Sequence, residues 1–455
     1  MTETRRWTNA ADPGLFTDLY EFTMLQAYWA AGLSGPATFS LYFRELPPVR
    51  RFMLACGQQY AARLVTELRF PKAALDDLAR LGLFRDEFLG WLEDFRFSGD
   101  IVAMPEGTPV FPQEPLLEVT APIAEAQLLE TLLMNLVHLE TVLASKAARV
   151  VLAAHGRPVA DFGMRRMHGI DAAVQGVRAY KTAGISGTSN VLGGLRHGLP
   201  VRGTMAHSFI QACGNEAAAF RTYADLYPGT TLLLDTADTL RAVDKIVAMK
   251  NELGEQFNVG AIRLDSGDLA ALSRAARSKL DGAGLNDVQI VVSGGLDEYK
   301  IRDLVEAEAP IDAFGVGTAL GTSADAPSLD LVYKLTAYNG KPRLKNSPGK
   351  QVYPGAKQVW RHYDADGRMS GDELTLREES RDAKPLLVPA VVHGEPVSAA
   401  LPDTEAAASY ASDEIDKLPE ALREIAPGEA DYPVTVSPAV LALRDEALAE
   451  LNASD

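Results

Sequence analysis

The chain has 455 residues, of which 47% are hydrophobic and 23% are charged, and its formal net charge is −17 from 44 basic and 61 acidic residues. A field of that sign repels nucleic acids and anionic membrane surfaces, which argues against both as partners. Two cysteines, Cys56 and Cys213, exclude a disulfide framework and favour a reducing compartment. The first residues lack an apolar signal-peptide core, and charges interrupt every long apolar run, so we expect a cytoplasmic protein with no membrane span.

The N-terminal part of the chain has the pattern of a mixed α+β region. Residues 1–13 predict a polar arm, and residues 14–121 predict an α+β domain. Within this domain a helix begins near Thr17, a favourable N-cap, and residues 37–44 alternate apolar and polar side chains as a half-buried strand does. Leucines recur at helical spacing over residues 122–150, which predicts a long helix that links this domain to the next.

Residues 151–330 repeat a pattern of short apolar runs, most of them followed by a helical segment. The clearest strands are predicted at residues 231–234, 261–264, 289–292 and 313–316. A strand followed by a helix, repeated about seven times, indicates a parallel sheet with right-handed crossovers. We infer that this sheet closes into an irregular (β/α) barrel, which presents its chemistry where the strands end.

Beyond residue 330 the pattern becomes β-rich. An Asn339-Gly340 turn between two short segments predicts a hairpin, and residues 331–399 are expected to return to the N-terminal domain and make it discontinuous. Residues 400–455 predict an acidic helical tail. The expected fold class is therefore α/β: an irregular barrel beside a discontinuous α+β domain that the β-rich segment completes.

Six basic residues cluster in the β-rich segment of this otherwise acidic chain. They are Lys341, Arg343, Lys345, Lys350, Lys357 and Arg361. A charge run of this kind is usually a solvated face, and it could also line the approach for a polyphosphate. The acidic net charge argues against a nucleic-acid patch here.

His207 ends one of the apolar runs, and acids and arginines end the neighbouring ones. The carboxyl ends of parallel strands meet at one edge, so these side chains are expected to lie together. A lone histidine is most often a hydrogen-bonded structural residue. In this company, however, an imidazole could act as a base, a metal ligand or a phosphoryl acceptor, and the residues alone leave these roles open.

Arg263, Asp265 and Asp268 surround the end of the strand predicted at residues 261–264. A strand period of two puts Arg263 and Asp265 on the same face. If that face is buried, both must be paired or bind a ligand, and the alternative is a structural ion pair inside the barrel. Carboxylates at this position could hold a ribose diol or Mg²⁺.

Glycines end the last two strands of the series, at Gly294-Gly295 and at Gly317-Thr318. Glycine lets backbone N–H groups converge on a phosphate, and barrels often place a phosphate site at this position. Glycine also ends strands for purely steric reasons. The two stretches together, last in order, favour the phosphate site.

Phe162 and Arg165 follow an earlier predicted strand. A flat ring and a forked donor suit an aromatic anion, because the ring stacks and the guanidinium binds a carboxylate. The alternative is a core phenylalanine beside a surface arginine.

Eight stretches in order carry a family resemblance. They are Thr17-Asp-Leu-Tyr20 with Thr23-Met24, Leu128-Leu-Glu-Thr-Leu132 with Lys146-Ala-Ala-Arg149, Asp161-Phe-Gly-Met-Arg-Arg166, Gly187-Thr-Ser-Asn190, Gly203-Thr-Met-Ala-His-Ser208, Arg263-Leu-Asp-Ser-Gly-Asp268, Phe314-Gly-Val-Gly-Thr318 and Pro354-Gly-Ala-Lys-Gln358. With these stretches the sequence resembles nicotinate phosphoribosyltransferase across nearly the whole chain.

The resemblance implies condensation of nicotinate with phosphoribosyl pyrophosphate (PRPP), giving nicotinate mononucleotide and pyrophosphate for NAD salvage. It implies a ligase-type enzyme, with ATP hydrolysed as a co-substrate and Mg²⁺ as a cofactor. It also implies an irregular α/β barrel and a homodimer whose active sites are shared between subunits.

The resemblance further assigns roles to individual residues. It implies three catalytic residues: His207, which ATP would phosphorylate transiently, Asp265 and Arg263. Nicotinate would lie between Phe162 and a Tyr20 ring supplied by the neighbouring subunit. The other implied contacts are Arg165, Ser189, Thr204 and Arg263 for nicotinate, Asp235 and Asp265 for the ribose and its metal, and Gly294, Gly295, Gly317 and Thr318 for the 5′-phosphate.

Ser189 bears on the choice of substrate. The related nicotinamide enzymes carry an aspartate at this position, which can accept a hydrogen bond from an amide but repels a carboxylate. Serine can donate to a carboxylate, so nicotinate is favoured. The alternatives are a quinolinate or nicotinamide phosphoribosyltransferase, or a noncatalytic nucleotide-binding member of the family. The stretch Ser293-Gly-Gly-Leu-Asp297 departs from the form found in some relatives, which weakens the assignment of Gly294 and Gly295 to the 5′-phosphate.

Overall fold

The structure is a computed structural model that describes residues 13–345, 352–397, 404–426 and 431–454. The chain divides into two compact units. The first unit comprises Met1–Ser145, Ser328–Arg423 and Gly428–Asp455, and the second comprises Lys146–Pro327 and Glu424–Pro427. Among the described residues, no helix combines the length and the apolar character that crossing a membrane requires. The predicted arm up to residue 12, and Lys350 of the basic cluster, lie outside the described residues.

The N-terminal part of the first unit alternates helices and strands. Its elements are α1 (Leu19–Ala30), β1 (Pro36–Phe43), β2 (Met53–Leu54), α2 (Gln58–Thr66), α3 (Lys72–Arg80), α4 (Asp86–Glu93), β3 (Asp100–Ala103), β4 (Pro109–Val110), β5 (Leu117–Pro122), α5 (Ile123–Leu128) and the first part of α6 (Glu130–Ala154), which passes into the second unit at Lys146. The long helix predicted over residues 122–150 is therefore two helices, because α5 ends at Leu128 and α6 begins two residues later.

The second unit follows the predicted strand–helix repeat. Its elements are β6 (Val159–Asp161), α7 (Ile170–Thr182), β7 (Gly187–Thr188), α8 (Val191–His197), α9 (His207–Cys213), α10 (Glu216–Leu226), β8 (Thr231–Leu233), α11 (Thr239–Leu253), β9 (Ala261–Leu264), α12 (Leu269–Gly282), β10 (Gln289–Val292), α13 (Glu298–Glu306), β11 (Ala313–Val316) and α14 (Thr318–Gly321), with 3₁₀ turns at Met164–Arg166 and Gly254–Gln256. The strands predicted at 261–264, 289–292 and 313–316 are confirmed to the residue.

These six strands form one parallel sheet in the order β7-β6-β11-β10-β9-β8. The described strand order ends at β7 and β8, so the sheet is a curled half-barrel rather than the closed barrel that we inferred. A single parallel bridge between Thr188 and Val201 stands where a seventh strand was expected. Apolar side chains such as Ile262, Ile290 and Val292 are fully buried, as parallel strands require.

The C-terminal segment returns to the first unit. Its elements are β12 (Leu331–Tyr338), β13 (Lys341–Pro342), β14 (Lys357–Tyr363), β15 (Met369–Leu376), β16 (Lys384–Pro385), β17 (Val388–Val392), β18 (Glu395–Pro396), α15 (Thr404–Lys417), α16 (Glu420–Arg423), β19 (Val434–Val436) and α17 (Pro438–Ser454). Strands from both ends of the chain share a seven-stranded sheet in the order β13-β12-β1-β5-β3-β17-β18, and a second sheet has the order β16-β14-β15-β19. The segment predicted as a helical tail thus also contributes a strand, β19.

The hairpin predicted at the Asn339-Gly340 turn is confirmed. β12 pairs with β13 antiparallel, and both turn residues have positive φ, 49° and 72°. A two-residue turn with both φ values positive matches the twist of antiparallel strands, which is why Asn-Gly is favoured there.

β1 departs from the prediction of a half-buried strand, because every residue from 37 to 43 is buried. The strand lies inside the seven-stranded sheet between β12 and β5, and its polar side chains have partners. Ser40, for example, donates to the Glu118 carboxylate at 2.5 Å. Alternating polarity here marks a buried polar layer rather than a solvated face.

Two members of the predicted basic cluster are buried, which contradicts a solvated face or polyphosphate approach that includes them. The Lys357 ammonium lies 3.0 Å from Glu118, and the Arg361 guanidinium donates to both Asp372 oxygens at 3.0 and 2.7 Å. A charge buried this deeply needs a partner, and each has one. Lys341 and Lys345 are exposed.

Candidate active site

A cavity of about 520 Å³ opens in the second unit where β6, β7, β8 and β9 end. The structure brings seven of the thirteen predicted site residues to its wall. They are Phe162, Arg165, Ser189, Thr204, His207, Arg263 and Asp265. Residues from distant parts of the sequence therefore converge at one edge of the sheet, as parallel strands with right-handed crossovers require.

Asn and Asp side chains begin the helices that follow these strand ends. Asn190 caps α8 and Asp297 caps α13, each accepting a hydrogen bond from a backbone N–H of the first turn. Asp268 does the same for α12, with its carboxylate 3.0 Å from the Ala271 nitrogen. Asp268 is thus a helix cap, and Asp265 is the member of the predicted acid pair that lines the cavity.

Arg263 is the centre of the polar network in the cavity. Its guanidinium donates to Thr204 Oγ1 at 2.6 Å, to Ser293 Oγ at 2.8 Å and to Asp265 Oδ1 at 2.9 Å. The side chain is 16% exposed. A planar fork held at all three nitrogens is fixed in orientation, so it presents a prearranged cationic surface to a ligand.

Asp265 receives hydrogen bonds from both Arg263 and Ser293. Burial raises the pKa of this carboxyl, but the Ser293 hydroxyl and the Arg263 charge more than offset burial, so the net effect is a lowered pKa. Asp265 is therefore ionised at neutral pH. The predicted Arg263–Asp265 pair exists, and it lies in the wall of an open cavity.

Two glycines allow close approaches in the cavity wall, one at the Phe162 ring and one at the Asp265 backbone. A Cβ at Gly315 would lie 2.4 Å from Phe162 Cε2, so only glycine lets the ring lie against β11. The Arg263 guanidinium carbon lies 5.7 Å from the ring centroid, within the range of a cation–π contact. A Cβ at Gly294, where φ is +90°, would lie 1.6 Å from the Asp265 carbonyl oxygen. These glycines allow the strand ends to approach each other closely.

His207 begins α9 and is 43% exposed at the cavity. Its Nδ1 lies 3.1 Å from Thr236 Oγ1, and its Nε2 lies 3.8 Å from Asp235 Oδ1. The Asp235 side chain is 5% exposed, and its Oδ2 accepts from the Ser266 hydroxyl at 2.6 Å. Among the described residues, Asp235 Oδ1 is buried without a hydrogen-bond partner. His207 is thus an accessible imidazole beside an under-satisfied carboxylate.

Three side chains at this end of the cavity could hold a cation. One ligand atom each from His207, Asp235 and Asp265 lie within 4.8 Å of one another. Mg²⁺ prefers oxygen ligands, and the two carboxylates offer them, one with an oxygen that has no hydrogen-bond partner among the described residues. The donor set therefore fits a magnesium site that rests on the acids more than on the imidazole.

Ser189 is held by the buried Asp161. The Ser189 backbone N–H donates to the Asp161 carbonyl at 2.8 Å, and the Asp161 carboxylate accepts from Thr188 Oγ1 and from the Gly163 N–H, both at 2.7 Å. Burial raises the pKa of Asp161. This network fixes the loops after β6 and β7, which carry Phe162 and Ser189.

The remaining predicted residues lie elsewhere. Gly294, Gly295, Gly317 and Thr318 follow β10 and β11, the next strands along the sheet, and do not line the cavity. The N–H groups of Gly294 and Gly295 have no acceptor among the described residues. Tyr20 belongs to α1 of the first unit and is 46% exposed.

Sequence reasoning missed three residues of the site: Arg202, Ser293 and Thr236. Arg202 lines the cavity directly after the bridge at Val201, between the recognised apolar run and the stretch that begins at Gly203, which alone was singled out. Ser293 and Thr236 adjoin residues that were singled out, Gly294 and Asp235, and their role as partners of Arg263 and His207 depends on side-chain geometry. The only sequence signal for these residues is their position at the ends of the apolar runs.

The fold and the site together define an α/β enzyme with a cationic and acidic cavity at its strand ends. Two family models match: nicotinate phosphoribosyltransferase (NAPRTase) N-terminal domain over residues 15–138, and nicotinate phosphoribosyltransferase (NAPRTase) family over residues 158–372. The chain belongs to the nicotinate phosphoribosyltransferase family.

Individual relatives agree with this assignment. Nicotinate phosphoribosyltransferase pncB2 of Mycobacterium tuberculosis (strain ATCC 25618 / H37Rv) is 51% identical over 423 residues, covering 93% of this chain and 91% of the relative. The crystal structure of human nicotinic acid phosphoribosyltransferase matches with a TM-score of 0.82 at 28% identity, covering 95% of this chain and 99% of that one. The nicotinate-nucleotide pyrophosphorylase of Pyrococcus furiosus matches with a TM-score of 0.75 at 26% identity, covering 91% and 99%.

Proposed function

We propose that this chain transfers phosphoribose from PRPP to nicotinate, forming nicotinate mononucleotide and pyrophosphate for cytoplasmic NAD salvage, and that it couples this transfer to ATP hydrolysis. The observation that carries the proposal is the Arg263 fork, held against Phe162 by Thr204, Ser293 and Asp265 at the cavity wall. A flat ring beside a fixed cation suits a flat aromatic carboxylate. Family membership supplies the substrate class.

Nicotinate binds with its ring on Phe162 and its carboxylate toward Arg263 and Thr204. Arg165 and Ser189 also line the cavity and can donate to the carboxylate. Ser189 carries no charge, so it does not repel the carboxylate of nicotinate, whereas an aspartate at this position would repel it. This favours nicotinate over nicotinamide.

PRPP binds with its ribose near Asp235 and Asp265. Mg²⁺ held by these two carboxylates would neutralise the diphosphate. The 5′-phosphate lies at Gly294, Gly295, Gly317 and Thr318, where exposed backbone at the ends of adjacent parallel strands can donate N–H groups.

The chain's own residues promote transfer by positioning and charge. Loss of pyrophosphate from C1 leaves an oxocarbenium-like ribose, and the ionised Asp265 stabilises that positive charge. The fixed ring of Phe162 holds the pyridine nitrogen in line with C1. The two substrates then react with the rate advantage of an intramolecular reaction. No strong base is required, because the pyridine nitrogen of nicotinate is itself the nucleophile.

His207 accepts the γ-phosphoryl group of ATP. A nitrogen–phosphorus bond forms, the bond from the γ-phosphorus to the bridging oxygen breaks, and ADP leaves; water later hydrolyses the phosphohistidine. Asp235 beside Nε2 and Thr236 beside Nδ1 orient the ring. An exposed imidazole with both nitrogens flanked in this way suits nucleophilic catalysis.

The active enzyme is a homodimer in which Tyr20 of the partner subunit covers the nicotinate. Two exposed apolar surfaces support this proposal. Tyr20 and Leu19 are about half exposed on α1, and Val191, Leu192 and Leu195 are exposed on α8, where Val191 also lines the cavity. Apolar side chains clustered beside a ligand cavity are typical of a subunit interface.

Quinolinate is the second candidate substrate. Three arginines line the cavity, Arg165, Arg202 and Arg263, and a dicarboxylate needs more positive charge than nicotinate does. Quinolinate transfer would leave the accessible His207 without a role, which is why nicotinate is preferred.

The test supplies the protein with PRPP, Mg²⁺ and each of nicotinate, nicotinamide and quinolinate, with and without ATP, and measures the mononucleotide by chromatography. Turnover of nicotinate, stimulated by ATP, is expected. If quinolinate is the only one of the three compounds that is turned over, the proposal is overturned. If the protein binds these compounds but turns over none of them, it is a noncatalytic member of the family.

A further inference from the structure

A buried lysine ties together two segments of the second unit. The Lys146 side chain is 2% exposed on α6, and its ammonium contacts the Glu298 carboxylate and, at 2.7 Å, Asp325 Oδ1. Arg149, one turn along α6, donates from Nε to the other Glu298 oxygen at 3.0 Å and from Nη2 to the Tyr299 hydroxyl at 3.1 Å. The cavity residues described above do not include this cluster.

The two carboxylates flank the glycine-rich strand ends. Glu298 opens α13, directly after the loop that contains Gly294 and Gly295. Asp325 follows α14, which begins at Thr318 after Gly317. The strands that lead into these loops, β10 and β11, are neighbours in the sheet. The Lys146 ammonium thus links the segment that follows Gly294-Gly295 to the segment that follows Gly317-Thr318.

We propose that Lys146 is a positioning residue that holds the Gly294-Gly295 loop and the Gly317-Thr318 turn at the separation that a sugar phosphate requires. The proposal rests on the phosphate role given to these glycines under the proposed function. A buried ammonium cannot give up either carboxylate cheaply, because each leaves a charge unpaired in a medium of low dielectric. The ion pairs therefore add a fixed link between the two segments beyond the pairing of β10 with β11.

Glu298 is ionised in this arrangement. Burial raises the pKa of its carboxyl, but the Lys146 charge and hydrogen bond more than offset burial, and the resulting pKa is below the ordinary value. Because the Glu298 carboxylate accepts from both Lys146 and Arg149, the start of α13 is held from two sides. Reactions of this kind lose rate when a bound group shifts by about 1 Å, which gives the support a functional consequence.

The test compares Asp325→Asn and Lys146→Met with wild type. Asp325→Asn weakens the link from Lys146 to the segment after α14, at a side chain that is 14% exposed, so this variant is expected to fold. Lys357→Met is the matched control, since Lys357 is an equally buried ammonium paired with Glu118 in the first unit. Each protein is assayed for the KM of PRPP, the KM of nicotinate, the Kd of ribose 5-phosphate by calorimetry, and the melting temperature.

Both variants are expected to raise the KM of PRPP and the Kd of ribose 5-phosphate by about tenfold, with the KM of nicotinate changed by less than about twofold. The Lys357→Met control is expected to have a lower melting temperature, with no selective rise in the KM of PRPP over the KM of nicotinate. Equal changes in both KM values, or an unchanged Kd in Asp325→Asn, overturn the proposal and leave a structural ion pair. If Lys146→Met does not fold, Asp325→Asn decides.

The wild-type protein separates this inference from the proposed function. If wild type fails to use nicotinate yet binds ribose 5-phosphate, the proposed function fails, and the Kd comparison still supports or overturns the role of Lys146. If wild type turns over nicotinate but does not bind ribose 5-phosphate, the glycines are not a phosphate site and the role of Lys146 fails, while the proposed function stands.

Discussion

Replacing Arg263 by lysine keeps the positive charge but removes the planar fork. Arg263 donates three side-chain hydrogen bonds, to Thr204, Ser293 and Asp265, and a lysine ammonium on a different stem can reproduce about one of them. These bonds hold the guanidinium where it would meet the nicotinate carboxylate, and a weakened charge-assisted hydrogen bond to the substrate costs up to about 3 kcal/mol in the transition state. Since about 1.4 kcal/mol is a factor of ten in rate, we expect Arg263→Lys to lower kcat/KM for nicotinate by up to about 100-fold.

Arg277 provides a matched control on α12. It also donates three side-chain hydrogen bonds, to Asp281, Val288 and Leu285, and its side chain is 19% exposed against 16% for Arg263. Steady-state kinetics of both lysine variants, with circular dichroism to verify folding, separates the site from general stability. If Arg263→Lys stays within about threefold of wild type, or if Arg277→Lys falls as far, the role given to the fork is refuted.

Three further predictions concern the phosphoryl acceptor, the substrate choice and the pH dependence of stability. His207→Ala is expected to abolish ATP hydrolysis and phosphoprotein formation, followed with ³²P-labelled ATP, while slow nucleotide synthesis continues; ATP stimulation that survives would contradict this. Ser189→Asp is expected to lower kcat/KM for nicotinate by about 1–3 kcal/mol, or roughly 5- to 150-fold, with a smaller loss for nicotinamide, and an unchanged ratio of the two substrates would count against it. Burial raises the pKa of Glu21 from 4.5 to about 7, so the folded state binds this proton more tightly and stability falls as pH rises from about 4.5 to 7. Glu21→Gln should remove that slope and stabilise the protein by about 1–3 kcal/mol at pH 8, measured by urea unfolding, whereas parallel pH profiles for variant and wild type would disprove it.

The strands of the second unit could be predicted because their signal is local. A short apolar run buried on both faces, such as β9, needs no knowledge of its neighbours. β1 could not be assigned correctly in the same way. Its alternation was real, but the burial of its polar face depends on β12, which arrives from nearly 300 residues further along the chain. Burial of a strand in a sheet is a property of the sheet, not of the strand.

The candidate site shows the same division. The strand-end pattern was sufficient to group Phe162, His207 and Asp265, because parallel topology brings strand ends together. It could not separate Asp265 from Asp268, since capping a helix depends on backbone geometry that the residue types do not specify. Nor could it show that Lys357 pairs with a buried glutamate, since that partner is distant in sequence.

A crystal structure of the chain with nicotinate, at a concentration that saturates turnover, tests the central claim most directly. The pyridine ring is expected on the face of Phe162, with its carboxylate toward Arg263 and Thr204 and its nitrogen open to the side of Asp265. Electron density for nicotinate outside this cavity, with Arg263 and Phe162 unchanged, would contradict it.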